Sequence, residues 1–311
     1  SMILYFVYGG RLKKPTNIYK EVLKSSTSIT GVRLASSLVQ PIIALIIPAR
    51  LIAAGYTSAQ AMSIYGIAIG MTMPLLFIPV TLVGSLSMVL VPDISTAIVK
   101  NDNEHVNNQI SSSIMFTLII TFLLIPLFIG AGENIGLFFY DNLQSGQLLA
   151  NAAWTMLPFA LINITSSILN ALGLESKSFI NYIIGSIFMF ICIIFLPKYI
   201  GIRALIVGMG LCVSVTSLLN IRMIKKKTNL KLNLFKPIIK LSLISLPTVA
   251  LTYFVTSLLA NFLPLFFSLA ISCSLGALMY ILLCVMFGII NIQAMFVEVK
   301  KYLTSKKRKK T

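Results

Sequence analysis

The stretch SIMFTLIITFLLIPLFIG, residues 113–130, has no charged side chain across its 18 positions. As a helix rising about 1.5 Å per residue it reaches about 27 Å, close to the roughly 30 Å of a bilayer's hydrocarbon core. Helix is the form such a segment takes there, because lipid offers no partners to backbone N–H and C=O groups. A membrane barrel would show segments of about ten residues in which apolar and polar side chains alternate, and this stretch does not alternate.

Outward from it the pattern repeats. Hydropathy predicts spans over 26–51, 62–90, 113–130, 148–172, 179–196, 204–223, 238–259 and 264–290. The 311-residue chain is 57% hydrophobic and only 11% charged, against about 25% charged in a soluble domain, and its mean hydropathy is +0.94. The expected fold class is an all-α integral membrane protein of about eight transmembrane helices. Residues 1–8 are apolar and run straight into Gly9, Gly10 and Arg11, which reads as the end of a helix whose start is missing rather than a secretory signal. The expected organisation is that helix end and a cytoplasmic linker over 1–25, a six-helix unit over 26–224 and a basic cytoplasmic loop over 225–237. Two further transmembrane helices over 238–290 and a basic cytoplasmic tail over 291–311 follow.

The net charge of +17 is distributed as a topology signal. Of 25 Lys and Arg, 21 fall in the segments before the first span, after the second, fourth and sixth, and in the tail. The opposite loops hold only Lys198 and Arg203, with Arg50 at a helix end. By the positive-inside rule both termini are cytoplasmic, in what is expected to be a bacterial cell membrane. Cations placed in this way give no reason to expect a nucleic-acid partner. The tail 306–310 fits either a hold on anionic lipid or a plain stop-transfer signal. Residues 133–147 read as an outer loop whose Ile135, Leu137, Phe138, Phe139 and Tyr140 lie in the interface.

Enzyme chemistry finds no footing. There is no phosphate loop, HExxH or GxSxG motif, and no cofactor or metal is expected. The acids Glu21, Asp93, Asp102, Glu104, Glu133, Asp141, Glu175 and Glu298 all read as loop or span-end residues, so acid–base chemistry at membrane depth has no candidate. His105 reads as a solvated loop residue. Cys192, Cys212, Cys273 and Cys284 read as small core residues. One cation lies within a span: Arg33, about seven residues in, or roughly 10 Å deep. A guanidinium there either faces a cavity and holds an anionic headgroup or snorkels back to the interface. Ser36, Ser37 and Gln40 form a polar stripe beside it; Asn163, Thr165 and Asn170 form another in the fourth span. Either stripe lines a cavity or bonds helices together without a ligand. Pro41, Pro48, Pro74 and Pro79 are expected to kink their spans, as static bends or as broken helices along a pathway. Gly66 and Gly70 form a GxxxG pattern that permits close helix packing.

Residues 32–97 also carry a resemblance. Arg33, the IIPARL run at 46–51, Ala54-Gly55, the YGIAIGM run at 65–71, Pro74-Leu75-Leu76 and LVPDIS at 90–95 resemble the seventh and eighth helices of the stage V sporulation protein B group. That group belongs to the multidrug/oligosaccharidyl-lipid/polysaccharide exporter superfamily. SSILNALGL at 166–174 and LPKYIGIRAL at 196–205 are similar to later family runs. Asn170-Ala171 stands where the family has Gln-Gly, and Phe188 and Met189 stand where it often has a lysine. The resemblance implies two six-helix lobes and two extra C-terminal helices, with this chain supplying the second lobe and the extra pair. The other lobe would come from the same chain or a separate one. It further implies a flippase of polyprenyl-pyrophosphate-linked oligosaccharides or peptidoglycan precursors, working by alternating access, in cell-wall or spore-cortex synthesis. Its partners would be the anionic lipid-linked sugar and membrane lipids, with Arg33, Ser37, Gln40, Asn163 and Asn170 as candidate substrate contacts. Two other readings stay open: a cation-coupled antiporter of the related branch, which commonly needs an intramembrane carboxylate, and a non-transport scaffold of envelope assembly.

Overall fold

Phe235 and Leu265 begin, and Leu259 and Met286 end, the last two of a series of long apolar helices that make up nearly all of the described residues. The computed structural model describes residues 30, 37, 39, 41–230 and 233–289. All regular structure among the described residues is helical, as the hydropathy pattern predicts. In chain order the elements are α1 (Pro41–Ala53), α2 (Ser58–Gly66), a π-helical turn (Ile67–Thr72), α3 (Met73–Leu76) and α4 (Ile78–Val99). Then come α5 (Asn103–Tyr140), α6 (Leu143–Ala152), a 3₁₀ turn (Ala153–Thr155), α7 (Met156–Ala171) and α8 (Glu175–Phe195). The short α9 (Pro197–Ile200) precedes α10 (Arg203–Thr228), α11 (Phe235–Leu259) and α12 (Leu265–Met286).

Eight stretches are each long and apolar enough to cross a membrane. Their number matches the sequence expectation; their composition differs. Residues 26–29, 31–36, 38 and 40 of the first expected span lie outside the described residues, and its described end is α1. The second divides into Ser58–Leu76 and Ile78–Val99. These two pieces abut at Phe77, whose backbone stays right-handed helical (φ −84°, ψ −3°). The Phe77 amide donates to the Met73 carbonyl at 3.1 Å and the Thr81 amide to the Phe77 carbonyl at 3.0 Å, so one broken rod runs through the junction. Its breaks follow from Pro74 and Pro79, which have no N–H to give and whose rings crowd the preceding turn.

A second difference lies at 133–147. The segment is not a loop: α5 continues to Tyr140, turns at Asp141 (φ +48°) and Asn142, and returns as α6. Asn142 caps α6, its side-chain oxygen accepting from the Ser145 amide at 2.9 Å. The hairpin closes on small residues. Gly136 lies against the Gly146 backbone, and a methyl group on Gly132 would come within 2.9 Å of Ala150 Cβ. This is the close packing that the sequence suggested for Gly66 and Gly70, which instead face open space. Glu133 is consequently an exposed helix residue, and Phe138 (41% exposed) stacks at 5.9 Å on Phe266 of α12.

Two further expectations are corrected. His105 sits in the first turn of α5, with Nε2 3.0 Å from Asp93 Oδ2 of α4. The boundary around 222–240 is shorter than its charges imply: Arg222 and Lys225–Lys227 ride the end of α10, where cations complement the helix dipole, and Lys236 and Lys240 ride the start of α11.

α5 is the central post, packed against α4, α6, α7, α11 and α12; α8 and α10 form a hairpin on α7. The apolar core divides along the helix axes into two clusters. One surrounds Ile47, Leu76, Leu149 and Met156, the other Ile94, Ile110, Ile164, Leu241 and Tyr280. Around them the bundle presents a broad apolar surface that water would oppose and lipid welcomes. On α8, Ile180, Ile184, Ile187, Phe188, Ile191 and Phe195 are all exposed, while Ser178, Asn181, Gly185 and Ser186 point inward. The last helix pair is seated rather than appended: the Tyr280 hydroxyl, fully buried, donates to the Ile119 carbonyl of α5 at 3.0 Å.

The turns obey the predicted parity. Tyr56 meets Gly201, joining two loops expected on one side, and Ser95 near the end of α4 reaches the Ala171 carbonyl at 3.4 Å, joining two expected on the other.

Candidate functional site: a polar layer and an apolar groove

Polar side chains inside an apolar bundle have to find one another, since no water is at hand to satisfy them. Here α7, α8 and α10 bring six together. Asn181 of α8 donates its amide to Asn220 Oδ1 of α10 at 2.9 Å. Asn220 donates in turn to Thr165 Oγ1 at 3.3 Å and Ser166 Oγ at 3.2 Å of α7. Ser178 donates to Ser166 Oγ at 3.2 Å, and Thr216 to the Asn181 carbonyl at 3.3 Å. Asn220, Thr165 and Thr216 are fully buried and Asn181 nearly so. The approach of α8 to α10 that permits this depends on Gly185, where a Cβ would strike Thr216 Oγ1 and the Cys212 carbonyl.

Every member of this layer is a neutral amide or hydroxyl. It holds three helices in register and has no group able to carry a proton through a reaction. Among the described residues no cluster of three or more His, Cys, Asp or Glu side chains is placed to hold a metal ion.

The predicted contacts fall out as follows. Arg33 and Gln40 lie outside the described residues. Ser37 occupies an exposed helical position. Asn163 and Asn170 are on α7, half-buried and exposed respectively, and neither takes part in the polar layer. Their neighbour Thr165 does, on the helix-bonding side of the two readings that the stripe allowed. Asn163 and Asn170 are seven residues apart on the same helix. Asn181 and Asn220 escaped the sequence reading. Their signal was the pairing of an Asn with a small or hydroxyl residue four positions away on the same face: Asn181 with Gly185, Thr216 with Asn220.

Beside the layer, α7, α10 and the start of α11 enclose a groove of about 550 Å³. Leu161, Leu218, Ile221 and Ile238 form its walls, and Lys225 and Asn233 stand at one end. An oily trough with a cation at its mouth fits an acyl or prenyl chain whose head carries negative charge.

A scan against protein-family models gives no match, and searches of curated proteins and of solved structures give none either.

Proposed function

We propose that the chain is the C-terminal part of a transmembrane flippase that moves polyprenyl-pyrophosphate-linked oligosaccharides or peptidoglycan precursors across a bacterial cell membrane by alternating access, in cell-wall or spore-cortex synthesis. The observation that carries this reading is the groove between α10 and α11, apolar along its length and headed by Lys225. Such a groove suits a prenyl tail held in place while its charged head crosses elsewhere. The resemblance of 32–97 to the oligosaccharide exporters supports the same reading, and the broken rod 58–99 lies almost wholly within that stretch. Discontinuous helices of this kind line the pathways of many transporters.

In this scheme Arg33 faces the cavity between this lobe and a second six-helix lobe, from the same or a separate chain, and binds pyrophosphate. Ser37 and Gln40 contribute hydrogen bonds from the same helix, and Asn163 and Asn170 contact the sugar. The termini of the segment face the cytoplasm. A cation-coupled antiporter is less well supported: each described acid lies on a loop, near a helix end or on an exposed face, so the described residues offer no intramembrane coupling carboxylate.

The test is a translocation assay in vesicles holding the full protein and a fluorescent polyprenyl-pyrophosphate disaccharide. Arg33→Ala is expected to reduce the rate at least tenfold, Arg33→Lys less, and Leu218→Trp to block the groove. Wild-type rates for both Arg33→Ala and Leu218→Trp would refute the assignment.

A further inference from the structure

We propose that the corner where loop 54–57 meets segment 197–203 binds a phosphate-bearing anion, with Lys198 and Arg203 as its charge partners and the Tyr56 hydroxyl as a third donor. The site is independent of the lipid groove and stands whether or not the chain moves lipid.

The starting point is where cations are scarce. α10 begins at Arg203 and carries Lys225, Lys226 and Lys227 in its last turn, so Arg203 and that basic cluster lie at opposite ends of one 26-residue helix. The basic end has many cations; the Arg203 end has few. Yet those few converge. Lys198 and Arg203 line one cavity of about 370 Å³ together with Ala54, Tyr56, Tyr199 and Gly201. Arg50 lies one turn before Ala54 on α1, whose amide donates to the Arg50 carbonyl at 3.0 Å.

The corner is built rather than incidental. Gly201 has a positive φ (+58°), which glycine adopts freely and which lets the chain turn from 197–200 into α10 beside loop 54–57. A methyl group at Gly201 would come within 3.1 Å of the Tyr56 hydroxyl, so that hydroxyl rests directly over the turn. Among the described residues no acid lines the cavity. The one close contact between a carboxylate and a basic side chain among the described residues, His105 with Asp93, is at the other end of the bundle. Two like charges are therefore held in one small concavity without a counter-charge. Both side chains are exposed, so an anion entering the concavity can reach them. A phosphate group satisfies both: the guanidinium offers a planar fork of donors, the ammonium a point charge, and each contact is charge-assisted.

That group has two sources, the headgroup of a bilayer lipid or a soluble phosphate or pyrophosphate. Both can be read from one reporter. Tyr199 lines the cavity and is 81% exposed, so a bimane on Tyr199→Cys senses occupancy. A Cys273→Ser background removes the half-buried native thiol; Cys192, Cys212 and Cys284 are buried. The full chain is placed in phosphatidylcholine vesicles and titrated with inorganic pyrophosphate, and separately placed in vesicles with increasing phosphatidylglycerol. A saturable shift with pyrophosphate assigns a soluble ligand; a shift with phosphatidylglycerol alone assigns a headgroup. In either case Lys198→Gln with Arg203→Gln is expected to weaken the response at least tenfold. Lys226→Gln with Lys227→Gln, at the basic end and outside the groove lining, leaves it unchanged. No response in either arm overturns the proposal. So does a response that survives Lys198→Gln/Arg203→Gln, or one that chloride at equal ionic strength reproduces. All the substituted side chains, half-buried Cys273 included, are solvent-exposed or partly so, and none fills the buried core.

Discussion

Replacing Asn220 by Leu isolates what the polar layer contributes. The two side chains share the same branched heavy-atom shape, Leu being the larger, so the change opens no cavity and removes three hydrogen bonds, at 2.9, 3.2 and 3.3 Å. The losses are unequal. Thr165 keeps its own donor bond to the Leu161 carbonyl at 2.6 Å and forfeits only a role as acceptor. Asn181 loses the acceptor of its buried amide, and that orphaned donor is the principal cost. At about 0.6 kcal/mol per side-chain bond within a membrane bundle, three bonds give about 2 kcal/mol; an unsatisfied buried amide alone costs about 1–3 kcal/mol. The expected destabilisation is therefore about 2 kcal/mol, read as a shift of the midpoint in reversible unfolding by dodecyl sulfate in mixed micelles. Adding Asn181→Leu makes both partners apolar and removes the orphan. The double variant is expected to be more stable than the sum of the singles by about 1 kcal/mol. A single variant within about 0.5 kcal/mol of wild type, or strict additivity in the double, would mean that the layer does not hold these helices together.

Gly136→Leu is expected to prevent assembly of the α5–α6 hairpin, because its side chain would occupy the Gly146 backbone, whereas Gly70→Ala meets nothing within 4 Å and should be tolerated; monodispersity and yield in detergent distinguish the two. Tyr280→Phe removes the bond to the Ile119 carbonyl while keeping the ring, and should cost about 1 kcal/mol in the same unfolding assay. A cysteine at Asn142 should label from outside intact cells and one at Asn103 only after permeabilisation, since α5 separates the two; the reverse order would invert the bundle.

The oily spans were legible because a bilayer imposes one requirement everywhere: enough consecutive apolar residues to cross it. Residues 113–130 show this most plainly, and α5 contains them whole. What lay beyond composition was harder to see. Residues 133–147 are rich in Gly, Asn and aromatic side chains, which is the vocabulary of an interfacial loop. They are helical because Gly132 and Gly136 admit the α6 backbone, a contact made only after the chain turns back. The pair Gly66/Gly70 has the same spacing and no partner; spacing alone does not say what faces a glycine. The polar layer was half visible. Thr165 stood out beside Asn163 and Asn170, but Asn181 and Asn220 gain meaning only when three helices place them within 3 Å of each other. Arg33 and Gln40, the residues on which the headgroup reading leans most, lie outside the described residues.

The glycines divide the molecule mechanically. Gly130, Gly132, Gly136, Gly146, Gly185 and Gly276 are each pressed against a neighbouring helix, so α5 to α12 interlock at distances that leave no room to slide. Gly66, Gly70 and Gly84 have nothing within 4 Å, and all three lie on the rod 58–99, which also holds Pro74, Pro79 and Pro92. A packed helix with two-state freedom bends where its ladder is already interrupted, and this rod is interrupted at the π turn Ile67–Thr72 and again at Phe77. One bond limits where the bend can fall. The Thr72 hydroxyl donates to the buried Ser145 carbonyl at 3.2 Å, fixing the end of the π turn to α6. Phe77 likewise rests edge-on against Phe159 at 5.1 Å. The rod therefore belongs to the packed body on both sides of Thr72: Ala61 and Ala68 before it, Leu75 and Leu76 after it, and Ile43, Ile47 and Leu51 of α1 are all buried in one apolar cluster.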